Sequence, residues 1–555
     1  MNNNQKRFIL EEYDPNFDYT KKKSSLNISF NRIAFILFIF FLITLIFSFK
    51  AVYLSSLSSK KDQNMFTHKS DFRSSILDRN KKILTQSVIT TNVGIDPKMV
   101  IDKKKLLINL KIIFPNKNFN EISKKLNGKK FFYLEKKISM KKHEQLFLLG
   151  DKSIKEEQRI SRIYPQSELF SHILGQIDDN NKGISGIEKS FDYELRTKKE
   201  PIELTVDTNL QYLIREELIK FTEIFNNTGS TAILMNVNNG EILSMVSLPD
   251  YDLNKRQEIK DLKYINRATK GVYELGSVFK TFTLASAFNE GVVEPETKFL
   301  KLKKGIRCGK HSIGEYDNKI PSDLSAEQIL IRSGNIGSVR IAQRVGLEKH
   351  KEFLEKIGVL NKIDFDIEEV GQPIAFKWGK CKLVTVAFGH GITTTPLQLV
   401  KGYSIISNGG YEVMPTLVKN KKIEKKRKKI LKNNVSKKIN PILRKVVSTK
   451  EGTAELANVP GYEVGGKTGT AQQAINGSYS KIKINTFVSV FPTSKPKFVL
   501  MVLLEAPKIS KDYIYKFRNT GGTLKGTPYN TAGWTSVEIV GKIIEKIGPI
   551  LATKY

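Results

Sequence analysis

The sequence predicts an α+β chain of more than one domain, held to a membrane by a single helix. Three observations predict it. The chain has 555 residues, too many for one ordinary domain. Ile33 to Phe49 reads IAFILFIFFLITLIFSF, an apolar run without a charge. Beyond it, runs with helical apolar spacing alternate with short strand-like runs, and hydrophobic residues make up 40% of the chain, enough to build a large core.

The apolar run continues through Ala51, Val52, Tyr53 and Leu54. About twenty such residues in a helix cross a bilayer core. A secretory signal peptide is the rival reading, but its apolar region is shorter and ends at small residues. Here Phe, Ile and Leu dominate, and Ser55–Ser59 offers no such cleavage site, so an uncleaved anchor over 33–54 is expected. Lys21, Lys22, Lys23 and Arg32 precede the span, and Lys60 and Lys61 follow it. Cations stay on the cytoplasmic side, so residues 1–32 are expected inside as a polar tail and the large remainder outside.

After the anchor, Ile76–Leu84 and Val88–Ile95 read as strands, and Lys103–Ile113 and Glu121–Leu126 as helices. Near residue 205 the character changes. ELTVDTNLQYLIREELIKFTEIF starts strand-like and turns helical. TAILMNVNNGEILSMVSL then gives two β runs joined through Asn238-Asn239-Gly240, a hairpin signal. The expected division is a module over 55–205 and a larger domain over 206–550.

The formal net charge is +35. Such a balance suits nucleic acid, an anionic membrane or an acidic polymer. The cations are spread along the whole chain, and no zinc-finger, recognition-helix or aromatic-basic pattern accompanies them, so no nucleic-acid partner is expected. The one dense run, Lys419 to Lys432, reads as a solvated face; contact with lipid headgroups or anionic wall polymer is the sharper alternative. Two cysteines, Cys308 and Cys381, allow a single bridge in an oxidising compartment but no framework, and their roles stay open. Six scattered histidines form no metal-ligand spacing, so neither metal nor cofactor is expected.

Three short motifs carry the chemistry: Ser277-Val278-Phe279-Lys280, Ser333-Gly334-Asn335 and Lys467-Thr468-Gly469-Thr470. S-x-x-K recurs elsewhere in this chain, so order and surroundings give the set its weight. A serine hydroxyl is a poor nucleophile until a base takes its proton. Residues i and i+3 share a helix face, so Lys280 can sit beside Ser277. A helix starting here buries Phe279, Phe282, Leu284, Ala285 and Phe288 as one stripe and turns its positive end toward Ser277. Lys280 acts as a base only if burial or a nearby cation lowers its pKa, and Lys467 is such a cation; alternatively Lys467 binds a substrate carboxylate. Ser333 can relay a proton and Asn335 can bind an amide. Gly469 allows close backbone approach, and Thr468 and Thr470 suit a strand edge that takes up an extended peptide. The backbone N–H groups of Ser277 and Thr470 would form an oxyanion hole. Which group deprotonates Ser277 stays open.

S-x-x-K, S-x-N and K-T-G in this order are the known signature of β-lactamases and penicillin-binding proteins, so the match is one of recognition. The surroundings resemble class B penicillin-binding proteins over nearly all of the chain beyond the anchor. NRATKGVYELGSVFKTFT, RSGNIG, FGHGITTTPLQL and GYEVGGKTGTAQ resemble the family's catalytic blocks, with Leu275 where proline is common. RSSILDRNKKIL, RIYPQSELFSHILGQI and GISGIEKSFD resemble blocks of its non-catalytic pedestal, with Ser74 and Lys81 at two usual glycines.

The resemblance implies a β-lactamase/D,D-peptidase-like domain, an antiparallel sheet flanked by helices plus a helical subdomain, on an α+β pedestal. It implies a serine acyl-enzyme that cross-links peptidoglycan stem peptides on lipid II-derived strands and is acylated by β-lactams. No glycosyltransferase domain fits ahead of the pedestal, so a membrane glycosyltransferase and other division proteins are expected partners. The compact pedestal and the ending GWTSVEIVGKIIEKIGPIL resemble the division-specific septal branch, with the elongation-specific branch as the alternative. A β-lactam sensor or hydrolase would lack the pedestal blocks, and a scaffold with a dead centre would show a broken motif.

Overall fold

The computed structural model describes residues 32–53, 72–255, 261–309, 311–374, 378–419, 427–475 and 478–555. Residues 420–426 of the cationic run lie outside the described residues. The chain divides between Asp71 and Phe72 into two units. In the first, α1 (Arg32–Tyr53) is a 22-residue helix, long and apolar enough to cross a membrane. At ~1.5 Å per residue it reaches about 33 Å, against a hydrocarbon core of about 30 Å.

The second unit begins with the pedestal. Its sheet is built on β2 (Ile83–Ile95), a 13-residue strand paired antiparallel with β3 (Phe132–Ile138) and β4 (Ile154–Ile163). β1 (Ile76–Leu77) pairs antiparallel with β2 and parallel with β5 (Ile202–Glu203). The single strand expected over Ile76–Leu84 is therefore a tight hairpin. The Asp78 carboxylate accepts from the N–H groups of Asn80 at 2.8 Å and Lys82 at 2.9 Å, and Lys81 takes a φ of 66°. A short acidic side chain that satisfies the backbone two residues on makes a turn where alternation suggests a continuous strand. Asp78 also accepts from the Thr208 hydroxyl at 2.6 Å. α2 (Lys103–Ile113) and α3 (Phe119–Leu126) lie where their apolar spacing puts them, on a separate core with Val93, Ile95, Leu110 and Leu146.

The three pedestal blocks meet at one buried carboxylate. Glu188 accepts from Arg73 Nε at 2.8 Å and from Arg162 Nε at 2.7 Å, and Arg73 also reaches Asp192 at 2.5 Å. Glu188 has no exposed surface. The cluster explains why RSSILDRN, RIYPQS and GISGIEKS, far apart in sequence, belong to one structure.

After α4 (Met140–Phe147), the helix α5 (Thr208–Phe225) leads into the catalytic-type domain. Its five-stranded sheet is antiparallel throughout. With β6 (Gly229–Asn236), β7 (Ile242–Leu248), β8 (Gly465–Ile475), β9 (Ser478–Phe491) and β10 (Phe498–Glu505), the order is β8-β9-β10-β6-β7. Every residue of β7 is buried, and all of β10 but Glu505, so helices cover both faces. Gly240 makes the turn between β6 and β7 at a φ of 79°. β8 stands at the sheet's edge. The turn Gly276–Val278 lies against that edge and leads into α6 (Phe279–Glu290), in which every residue from Phe279 to Phe288 is buried, rather than the single stripe expected. Neighbouring helices enclose it.

Replacing Glu188 with alanine leaves the buried Arg162 guanidinium without a carboxylate and Arg73 with Asp192 alone. We expect Glu188→Ala to cost about 3–5 kcal/mol, read as a lower melting temperature of the full chain in detergent; an unchanged melt would remove the cluster from the stabilising interactions.

Candidate functional site

Gly276–Val278 forms a 3-10 turn that runs directly into α6. Ser277 is half-buried on this turn. Lys280, one turn on, is 1% exposed. The turn is pressed against the edge strand β8. A Cβ at Gly469 would stand 2.3 Å from the Leu275 carbonyl oxygen, so only glycine lets the two backbones approach this far. Behind the turn, Gly389 has a φ of 85°, and a Cβ there would meet the Gly276 oxygen at 1.9 Å.

Ser333 lies between the helices Ala326–Ile331 and Asn335–Val345, here α7 and α8, with a φ of 59°. A non-glycine residue in the left-handed region costs about 1 kcal/mol or more and persists only when its surroundings hold it. They do: Lys280 Nζ donates to the Ser333 carbonyl at 2.5 Å and to Asn335 Oδ1 at 2.6 Å. It also lies 3.3 Å from Ser333 Oγ. Lys467 Nζ donates to the same Oγ at 2.8 Å and to the Thr468 carbonyl at 3.1 Å. One hydroxyl thus stands between two buried amines. Ser277, Ser333, Asn335, Thr468 and Thr470 line a single cleft of about 580 Å³. Gly469 packs just behind it.

Burial pushes the Lys280 amine down to about 7, with the Glu315 carboxylate pulling the other way. Burial, and then the charge of Lys280, hold Lys467 well below the ordinary lysine value. The sequence suggests Lys467 as the cation that lowers Lys280. In the structure burial lowers Lys280, and the effect of one amine on the other is felt at Lys467. Two amines on one hydroxyl cannot both stay charged cheaply in a dry site. Burial therefore favours a neutral amine beside Ser333.

The edge strand contributes hydroxyls as well. Thr468 Oγ1 meets Thr453 Oγ1 at 2.7 Å, and Thr470 Oγ1 accepts from the Ala532 N–H at 3.0 Å. Thr453 escapes sequence reasoning because nothing about a lone threonine in a loop announces it. His390, from the FGHG block, lines the same cleft and is lowered by burial first and by Lys280 second. Glu315 and Tyr316 escape too, because no local pattern marks them. Cys308 and Cys381 form a disulfide 73 residues apart in sequence. It joins the hairpin of Ile306–Cys308 and His311–Ile313 to the helix Lys380–Val386, which leads to His390. Among the described residues no group of three potential metal ligands occurs.

The transpeptidase-domain model of penicillin binding proteins matches residues 230–525, more than half of the chain, around all three motifs. The chain belongs to the penicillin-binding protein transpeptidase family. The penicillin-binding protein dimerisation domain matches residues 70–220, which contain the pedestal sheet and the Glu188 cluster. A probable peptidoglycan D,D-transpeptidase FtsI of Caulobacter vibrioides is 28% identical, covering 87% of this chain and 82% of its own. Stage V sporulation protein D of Bacillus subtilis is 29% identical, over 87% of this chain and 79% of its own. The peptidoglycan D,D-transpeptidase FtsI of Buchnera aphidicola is 28% identical, over 84% of this chain and 88% of its own. The likeness therefore runs through pedestal and catalytic-type domain alike.

A bridge over 73 residues constrains the unfolded chain. We expect Cys308→Ser with Cys381→Ser to lower stability by about 2–4 kcal/mol. The same drop should appear on melting the unaltered chain with a thiol reductant, and a reductant without effect would show that the bridge is not formed.

Proposed function

We propose that this chain is a septal peptidoglycan D,D-transpeptidase working through an acyl-enzyme on Ser277. The observation that carries the reading is the Ser333 hydroxyl held by Lys280 and Lys467 in the cleft that Ser277 lines. Ser277 Oγ attacks the carbonyl carbon of the penultimate D-Ala of a stem peptide, and its proton passes to neutral Lys280. The C–N bond to the terminal D-Ala breaks, and the leaving amine takes a proton through Ser333. An ester on Ser277 remains. The amine of a second stem attacks it, forms the cross-link and returns the proton to Ser277 Oγ. Asn335 binds the donor peptide. Thr468, Gly469 and Thr470 bind it as an added strand along the free edge of β8, and Lys467, taking a proton from water as a peptide carboxylate arrives, holds that anion.

The family and the D,D-transpeptidase names of the relatives support the substrate class. α1 and the cations ahead of it support residues 1–32 inside, the anchor at 33–54, and the pedestal (55–205) and transpeptidase domain (206–550) in the periplasm. The FtsI names support the septal role, with a membrane glycosyltransferase supplying the glycan strands. The disulfide fits an oxidising compartment.

A fluorescent penicillin should form a lasting adduct with the chain, lost in Ser277→Ala. A hydrolase would give a short-lived adduct and a scaffold none. Because neutral Lys280 is the base, acylation should speed up as pH rises through about 7, and Lys280→Ala should slow it by about 10²–10⁴-fold. A tagged chain should gather at the division site; an even distribution along the lateral wall would favour the elongation branch.

A further inference from the structure

The helix α8 begins at Asn335, and its cap position is Gly334, which has no side chain to satisfy the first N–H groups. A carboxylate from elsewhere in the chain does so. Glu315 Oε2 accepts from the Asn335 N–H at 2.7 Å, and Oε1 from the Ile336 N–H at 2.9 Å. Its neighbours grip the same block. The Gly314 carbonyl accepts from Asn335 Nδ2 at 3.0 Å, and the Tyr316 hydroxyl donates to the Arg332 carbonyl at 2.9 Å. Three consecutive residues thus hold both ends of Arg332-Ser333-Gly334-Asn335-Ile336. The segment follows the hairpin that Cys308 ties to Cys381.

We infer that Glu315 is a positioning residue of the acyl-transfer centre: from the segment after this hairpin its carboxylate fixes the first turn of α8, and with it the Ser333 and Asn335 groups that hold Lys280. The inference rests on the acyl-enzyme reading above. The Asn335 side chain is fixed at both ends, its Nδ2 by Gly314 and its Oδ1 by Lys280 Nζ. A carboxylate at a helix N-terminus is favoured by the dipole as well as by its two hydrogen bonds. Its negative charge also favours the protonated form of Lys280, against the burial that opposes it. The other titratable groups around Lys280 are Lys467, across Ser333, and His390, in the cleft wall. Glu315 is the anion among these groups, so removing its charge makes Lys280 easier to deprotonate.

The test uses the full chain in detergent, with fluorescent penicillin as probe and the acylation rate followed against pH. Glu315→Ala should acylate roughly ten- to a hundredfold more slowly, the loss expected for charge-assisted hydrogen bonds. Glu315→Gln, which keeps the shape and an acceptor oxygen, should recover much of the rate. In Glu315→Gln the acid limb of the profile should move to lower pH, a change that a merely structural cap would not produce. If Glu315→Ala does not fold, Glu315→Gln carries the test through its limb. A limb that stays in place overturns the inference, and so does one that vanishes in His390→Gln, since it would then belong to the imidazole. An unaltered chain that forms no Ser277 adduct would instead overturn the acyl-enzyme reading itself.

Discussion

Two buried amines meet at the Ser333 hydroxyl, and most of the catalytic-type domain serves to hold that contact. Lys280 comes from α6, whose start is enclosed on every side, and Lys467 from the edge strand of the sheet. A hydroxyl has one proton and two lone pairs. Facing two ammonium groups it can only accept, and its own proton finds no use between them. Facing one ammonium and one neutral amine it accepts from the first and donates to the second. Removing water from the site drives it to the second state, because a second charge has no counter-ion there. The dry environment therefore selects the proton arrangement that a proton relay needs. The +59° φ at Ser333 is part of the same constraint. The backbone strain is offset by the hydrogen bonds that Lys280 makes to the Ser333 carbonyl and the Asn335 side chain.

Placing those groups demands a close approach of backbones. Gly469 brings β8 against the Leu275 carbonyl, and Gly389 brings its loop against Gly276. A methyl group at either would displace the turn bearing Ser277 relative to the strand bearing Lys467. A misplacement of about 1 Å in such a site can cost two orders of magnitude in rate. Glycines here act on geometry, and the rigid sheet behind them makes the geometry repeatable.

Much of this was legible in the sequence because the information is local. Ser277 and Lys280 are three residues apart on one helical turn, and Lys467 to Thr470 are consecutive on one strand. The α5, β6 and β7 run carries its periodicity and its turn residues in plain view. What escaped is long-range. The anion of the centre, Glu315, is twenty residues from the N–H it binds, in a stretch with no period. The hairpin at 78–82 escaped because an aspartate in a turn looks like an aspartate on a strand until its partners are known. The full burial of α6 escaped for a related reason: apolar spacing reports the face that must be buried, not how many neighbours eventually surround it. The pairing of Cys308 with Cys381 follows from two tertiary positions that spacing does not encode.

The edge strand shows how structure and proposed chemistry constrain each other. An unpaired edge exposes a row of N–H and C=O groups and invites association with any extended chain, so proteins ordinarily shorten, charge or cover such edges. Here β8 is 11 residues long and pairs on one side only, with β9. Its Lys467–Thr470 stretch is protected by position. It forms one wall of a cleft whose other walls hold Ser277, Ser333 and Asn335. An extended peptide can pair with this edge only by entering the cleft, which brings its backbone to the serine. In the proposed reading, the feature that would be an aggregation hazard on an open surface becomes the device that registers the substrate. Strand pairing fixes the peptide in steps of one residue, and the position of Thr470 beside the Ser277 turn then selects which carbonyl is attacked.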